Sequence, residues 1–103
     1  MTIEQFCELM FSDVLDKDIG KFEDLPKELK VSKRKDLCGL MLLDKLVPGK
    51  ADMILSANHE EVVLSVPLTT IAKRATEEDV RNLVRCGISI SPYAPDLIVV
   101  VGH

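Results

Sequence analysis

The spacing of apolar residues changes partway along this chain, and that change constrains the fold more than any other feature. Up to Val47, apolar residues recur every three or four positions, which is the spacing of an amphipathic helix. After Pro48 and Gly49 they fall into short runs of β-branched and aliphatic residues, which are typical of strands. With 103 residues, the chain has the length of one domain. We therefore predict a single domain, residues 1–103, with helices first and strands in its second half.

Two helices are predicted before Pro48. The first covers residues 2–16, with Thr2 and Gln5 forming a capping-box pattern at its start. The second covers Lys33–Val47, with Ser32 as its candidate N-cap. Both carry more apolar residues than one packing face needs. Residues 17–31, between the helices, are predicted to be irregular, apart from a short turn over Pro26–Leu29.

The second half predicts two β-hairpins around a third helix. That helix covers residues 77–86, because Thr76 is a good N-cap and Gly87 a good stop signal. Residues 68–75 receive no assignment. The predicted strands are Asp52–Ser56, Glu61–Val66, Ile88–Ile90 and Leu97–Val101. The resulting fold class is α+β: two N-terminal helices, then a β-hairpin, a helix and a second β-hairpin, forming a small antiparallel sheet with helices on one face.

The sequence gives no sign of export or of membrane insertion. The longest aliphatic run, Leu97–Val101, is far shorter than the roughly 20 residues that span a bilayer. Glu4 and Glu8 stand where a secretory signal would be basic and then apolar. The three cysteines are odd in number and widely spaced, unlike a disulfide framework. We therefore expect a cytoplasmic protein that does not contact membrane.

No constellation of residues indicates catalysis or a bound cofactor or metal. Phosphate-binding glycine loops, a nucleophile elbow and a Cys-x-x-Cys pair are all missing from the sequence. His59 is predicted to lie in a hairpin turn, and His103 is the final residue. Cys86 ends a helix, where the helix dipole disfavours a thiolate. An enzyme would require distant groups such as Asp13, Asp16, Asp52 or His59 to meet, and nothing in their spacing predicts this.

A basic segment within an acidic protein is the strongest polar feature. The net charge is −4, yet residues 26–50 carry seven bases and three acids, whereas residues 1–25 carry two bases and seven acids. The candidate partner-binding residues are those of the segment 27–35: Lys27, Lys30, Lys33, Arg34 and Lys35. These bases favour contact with an acidic protein. The alternative is that they contact nucleic-acid phosphates in a winged-helix-like arrangement. A helix-turn-helix within Leu68–Arg85 is disfavoured because the turn would be too short.

The high apolar content completes the functional interpretation. Hydrophobic residues make up 47% of this small chain, so part of its apolar surface is expected to meet a partner. We predict a small non-enzymatic binding protein, an accessory, adaptor or inhibitor, that forms a homodimer through the first helix or the strand Leu97–Val101. The alternative is a nucleic-acid-binding regulator that uses residues 27–35. No motif in the sequence identifies a family.

Overall fold

Four α-helices organise the part of the chain that the computed structural model describes, which is residues 1–16, 18–19, 21–48, 54–57, 61–64, 66–90 and 97–100. The helices are α1 (Ile3–Leu15), α2 (Lys35–Leu46), α3 (Leu68–Arg74) and α4 (Glu77–Arg85). They are accompanied by the short strands β1 (Ile54–Ala57), β2 (Glu61–Leu64), β3 (Ile88–Ile90) and β4 (Leu97–Val100).

The predicted α+β fold class, with one helix between two hairpins, is wrong. The described chain is mainly helical: its α-helices have 13, 12, 7 and 9 residues, whereas each strand has only three or four. The segment left unassigned in the sequence is the additional helix, α3. β-branched residues favour strands locally, and the strands that these runs form are short. Helices supply most of the described core.

α1 begins at the predicted capping box, and α4 begins at its predicted N-cap, Thr76, which also forms a capping box. The Thr2 hydroxyl accepts a hydrogen bond from the backbone nitrogen of Gln5 at 3.1 Å. The side-chain oxygen of Gln5 accepts one from the backbone nitrogen of Thr2 at 2.9 Å. Thr76 and Asp79 repeat the arrangement at the start of α4, at 3.2 and 2.9 Å. Each box satisfies two amide groups that the first helical turn leaves unpaired.

α2 begins differently from its prediction. Its N-cap is Arg34, which makes no capping hydrogen bond through its side chain. Ser32, the predicted cap, instead accepts from the Arg34 nitrogen at 3.1 Å, closing a local turn before the helix. α3 also lacks a side-chain cap, and its N-cap is Pro67, a residue pre-organised for a helix start.

Residues 22–29 contain more structure than predicted. Two single 3₁₀ turns lie at Phe22–Asp24 and Lys27–Leu29. The second confirms the predicted turn after Pro26. Leu25, between them, is only 3% exposed, and Phe22 and Leu29 are partly buried against the core. The segment therefore covers the core with three apolar side chains that sequence analysis had left in an irregular stretch.

The four strands pair in the order β1-β2-β4-β3, and every neighbouring pair is antiparallel. β2 and β4 are central, with Val62 opposite Val99. A register shift lies between Ile54 and Ser56 of the edge strand β1. Because β4 is paired on both sides, it has no free edge for a second chain. The predicted turn at His59 and the loop 91–96 lie outside the described residues.

The core lies between the helices and β3. α1 contacts α3, α4 and β3, and α4 also contacts α2 and β3. Gly87, with a φ of +82°, turns the chain from α4 into β3. Within the described residues, no helix is both long and apolar enough to cross a membrane. The fully buried side chains include Phe6, Met10, Leu43, Leu64, Ile71, Leu83 and Ile88.

Candidate functional site

α2 leaves an apolar strip facing outward because it carries more apolar residues than the core can take. Its inner face buries Cys38, Leu42 and Leu43. Four positions apart on the opposite side, Leu37 and Met41 remain 42% and 51% exposed. Such a pair on a helix surface is a stronger indication of contact with a partner than scattered apolar residues are.

A groove runs beside this strip. It has a volume of about 260 Å³, and Met41 lines it together with Val31, which is 55% exposed, and Leu29. Glu28, Asp44 and Lys45 complete its rim, while Cys38 and Leu42 lie at its buried side. We call Val31, Leu37 and Met41, with the flanking Lys33 and Lys45, the α2 surface. Its apolar centre and charged edges are the usual arrangement of a protein-binding patch.

The predicted basic segment 27–35 does not converge on one point. Lys30 donates to the Glu23 carbonyl oxygen at 2.8 Å, with its ammonium 5.7 Å from the centre of the Phe22 ring. Arg34 pairs with Asp36 at 3.4 Å. The side chain of Lys35 extends towards Gly87. These three bases are turned to neighbours within the chain.

Lys27 and Lys33 are the other two members of the predicted site. Both are exposed, and neither has an ion-pair partner among the described residues. Lys33 precedes α2 by two residues, and Lys45 lies in its last turn. Lys33 and Lys45 thus place positive charge before and after the exposed apolar strip of α2 in the sequence.

A second exposed apolar strip lies on α1. Ile3 is 38%, Phe11 46% and Leu15 83% exposed, and Cys7 between them is half-buried. Their spacing of four places them along one side of the helix. The adjacent row is polar and acidic, with Glu4, Glu8, Ser12 and Asp16 all exposed. α1 contains no basic residue.

Arg85 holds the chain after α1 against α4. Its Nε donates to the Ile19 carbonyl oxygen at 3.1 Å, and its Nη1 donates to Asn82 Oδ1 at 2.9 Å. The Glu78 carboxylate pairs with the guanidinium of Arg85 at 3.4 Å and with that of Arg81 at 3.5 Å. Because Asn82 and the Arg85 side chain are largely buried, this network positions the chain rather than presenting charge.

Asp13 is the one buried carboxyl group among the described residues. It is 3% exposed, and its Oδ2 has no hydrogen-bond partner in the described part of the chain. Burial raises its pKa, against the lowering influence of Arg81 and Arg85. Asp16, its candidate partner in an enzyme, is exposed. Asp52 and His59, the other candidates, lie outside the described residues.

The thiols are unsuited to nucleophilic chemistry. All three cysteines are free. Cys86 is buried, and burial, followed by the neighbouring Cys38, raises its pKa to about 12. Burial also raises the pKa of Cys7. Since the thiolate is the reactive form, none of these shifts favours attack on a substrate. In the described segments, no group of three metal-ligating side chains comes together.

α3 and α4 do not form a helix-turn-helix with the usual connection. Only Ala75 and Thr76 separate Arg74 from Glu77, whereas the motif needs three or four residues. Sequence analysis anticipated this tight junction. The α2 surface was not predicted. The unbroken apolar run Leu40–Leu43 does indicate that this helix carries more apolar residues than one face can bury.

No family model, no curated protein and no solved structure matches this chain.

Proposed function

We propose that this chain is a non-enzymatic binding domain that docks a protein partner on the α2 surface. The observation that carries the proposal is the exposure of Leu37 and Met41 beside a groove that Val31 also lines. Three large apolar side chains gathered at one place are costly to leave in water, and a partner that covers them gains that free energy.

The partner that fits this surface is an acidic amphipathic segment. Its apolar side would cover Leu37 and Met41, and its carboxylates would face Lys33 and Lys45. The matched charges give specificity and a faster encounter more than raw affinity. Because Glu28 and Asp44 also border the groove, a strongly acidic but apolar-poor ligand would be repelled there. The apolar contact therefore has to accompany the charge.

Nucleic-acid binding through residues 27–35 is the competing function. It needs several bases aligned for successive phosphates. Lys30, Arg34 and Lys35 are each directed to a neighbour within the chain, which leaves Lys27 and Lys33 as the exposed members of the segment without a described ion-pair partner. That distribution favours the protein partner.

We place the domain in the cytoplasm and propose that it self-associates. Three free thiols, two of them buried, suit a reducing compartment. Self-association would cover a second exposed apolar strip, on α1.

Two synthetic probes test the docking proposal against nucleic acid. The first is a helical peptide with a leucine face and a glutamate face, and the second is a mixed-sequence DNA duplex at low salt. We expect the peptide to shift the methyl resonances of Met41, Leu37 and Val31, and a lysine-faced version of the peptide to leave them unchanged. DNA that binds while the acidic peptide does not would overturn the proposal.

A matched pair of variants localises the binding. Leu37→Glu combined with Met41→Glu should abolish peptide binding, since it places carboxylates where the apolar contact forms. Leu15→Glu, which changes a more exposed leucine on α1, should retain peptide binding at protein concentrations where the chain is monomeric. Equal loss in both variants would show that the α2 surface is not the site.

A further inference from the structure

We infer that the acidic amphipathic partner is α1 of a second copy of this chain, docked on the α2 surface of the first. The inference rests on the proposed function and names its partner. α1 has the required chemistry: an exposed apolar strip of Ile3, Phe11 and Leu15, with Glu4 and Glu8 in the adjacent row.

Charge complementarity is the first argument for this occupant. Residues 1–25 carry seven acids and two bases, whereas residues 26–50 carry seven bases and three acids. α1 has no basic residue that would meet Lys33 or Lys45 unfavourably. Lys33 and Lys45 thus complement the acids of α1, with Glu28 and Asp44 also bordering the groove, and each surface carries exposed apolar residues.

The dimensions of the two helices also agree. Leu37 and Met41 on α2 are four residues apart, as are Phe11 and Leu15 on α1, which corresponds to about 6 Å along a helix. In the sequence, Lys33 and Lys45 flank the first pair, and Glu8 and Asp16 flank the second. Either relative direction of the helices brings acids to bases. These two apolar pairs can therefore pack against each other over one helical turn.

A contact between two different surfaces can close into a dimer when it is made twice. α1 of each copy then covers α2 of the other, and a two-fold axis relates the two contacts. The alternative route to a dimer, strand addition at β4, is closed because β2 and β3 already pair with both of its edges. Both exposed strips are covered in the reciprocal arrangement.

Charge reversal with complementation tests this pairing. Glu4→Lys/Glu8→Lys reverses the α1 surface, and Lys33→Glu/Lys45→Glu reverses the α2 surface. Each variant alone should sediment as a monomer at concentrations where the wild type has twice its 11.5 kDa mass, with association weakened about a hundredfold. An equimolar mixture should restore a dimer, since both contacts then join opposite charges.

A matched control separates this result from general attraction between oppositely altered proteins. Lys73→Glu/Arg74→Glu makes the same charge change on exposed residues of α3. This variant keeps the α1 and α2 surfaces, so it should dimerise with itself and leave the Glu4→Lys/Glu8→Lys chain monomeric in an equimolar mixture. Recruitment of the Glu4→Lys/Glu8→Lys chain into dimers as fully as by Lys33→Glu/Lys45→Glu would overturn the inference. Circular dichroism of each variant confirms that it is folded.

The outcomes distinguish this inference from the proposed function. A wild-type chain that stays monomeric at high micromolar concentration, yet binds the acidic peptide at Met41, overturns the second copy as occupant and leaves the docking surface. A chain that neither dimerises nor binds the peptide overturns both. A dimer that survives both charge reversals overturns the α1–α2 pairing. Raising the salt concentration should weaken the predicted dimer, because its charges lie at the edges of the contact.

Discussion

Gly39 of α2 lies directly against Cys86, the residue that ends α4. A Cβ placed on Gly39 would be 3.0 Å from Cys86 Cβ and 3.0 Å from both Cγ1 and Cδ1 of Ile88. This is the point at which α2 approaches α4 and β3, and a side chain there would hold them apart. The glycine sets how closely the two helices pack.

Gly39→Ala should therefore destabilise the chain, despite improving the helix. The substitution gains about 1 kcal/mol of helix propensity. Overpacking costs about 1–3 kcal/mol, because Cys86 Cβ is fixed to its backbone and cannot move aside. We expect a net loss of about 1 kcal/mol in the free energy of unfolding, measured by urea denaturation. Ile88→Val, which removes Cδ1, should reduce that loss in the double variant; an unchanged penalty would contradict the contact with Ile88.

This close approach shows what the sequence alone could not supply. Gly39 is unfavourable inside a helix, but its partner Cys86 lies 47 positions further along the chain, and no local pattern points to it. α4, by contrast, was predicted almost residue for residue, because its Thr76 cap, acidic first turn and Gly87 stop are all local signals. α3 was missed because it is short, is rich in β-branched residues and has no side-chain cap.

The candidate site, too, is predictable from local sequence only in part. Lys27 and Lys33 are exposed, as a basic segment predicts, but the directions of Lys30 and Lys35 depend on Phe22 and Gly87. Which apolar residues of α2 face outward depends on where α4 packs. That is tertiary information, and helical spacing alone does not contain it.

Thr76→Ala should cost more stability than the corresponding change at Thr2. Both threonines cap a helix through a reciprocal box, so each substitution loses a similar local contribution, about 1 kcal/mol. Ala75, directly before Thr76, is buried, so fraying the start of α4 would also expose part of the core. α1 can fray at its exposed first turn with less effect. Urea midpoints of the two variants compare them directly, and a larger loss at Thr2 would contradict this account.

Arg85→Lys should loosen the chain after α1 without unfolding α4. The guanidinium reaches Ile19 and Asn82 at once through two different nitrogens, whereas one ammonium cannot make both contacts in that geometry. Amide hydrogen exchange should accelerate around Ile19, with α4 amides little changed. Arg81→Lys serves as the control, because Arg81 contacts only Glu78 among the described side chains. Equal acceleration in both variants would show that Arg85 does not hold this segment.

Cys7 should be the first thiol to react with iodoacetamide in the folded protein at concentrations where the chain is monomeric. Cys38 and Cys86 are each 1% exposed, so the reagent does not reach them, and burial raises the pKa of Cys86 to about 12, which disfavours its thiolate. Cys7 is half-buried, and its raised pKa makes the reaction slow rather than absent. Intact mass should show a single adduct before unfolding and three in urea. Cys7→Ser should remove the native adduct, and a second native adduct would contradict the burial of the other two.

Asp13→Asn should stabilise the chain more at pH 7 than at pH 4. Burial raises the pKa of Asp13 above its ordinary value of 3.8, with Asp16 and Glu77 adding to the rise and Arg81 and Arg85 opposing it. The folded state therefore binds this proton more tightly than the unfolded state does, and the contribution of Asp13 to stability falls as the pH rises above 3.8. Asparagine has no charge to bury at either pH. We therefore expect the free energy of unfolding of the variant, minus that of the wild type, to be larger at pH 7 than at pH 4. Urea titrations at the two pH values measure this difference. Asp44→Asn, at an exposed residue, is the control and should change this difference less. A smaller difference at pH 7 than at pH 4 for Asp13→Asn would mean that Arg81 and Arg85 outweigh burial.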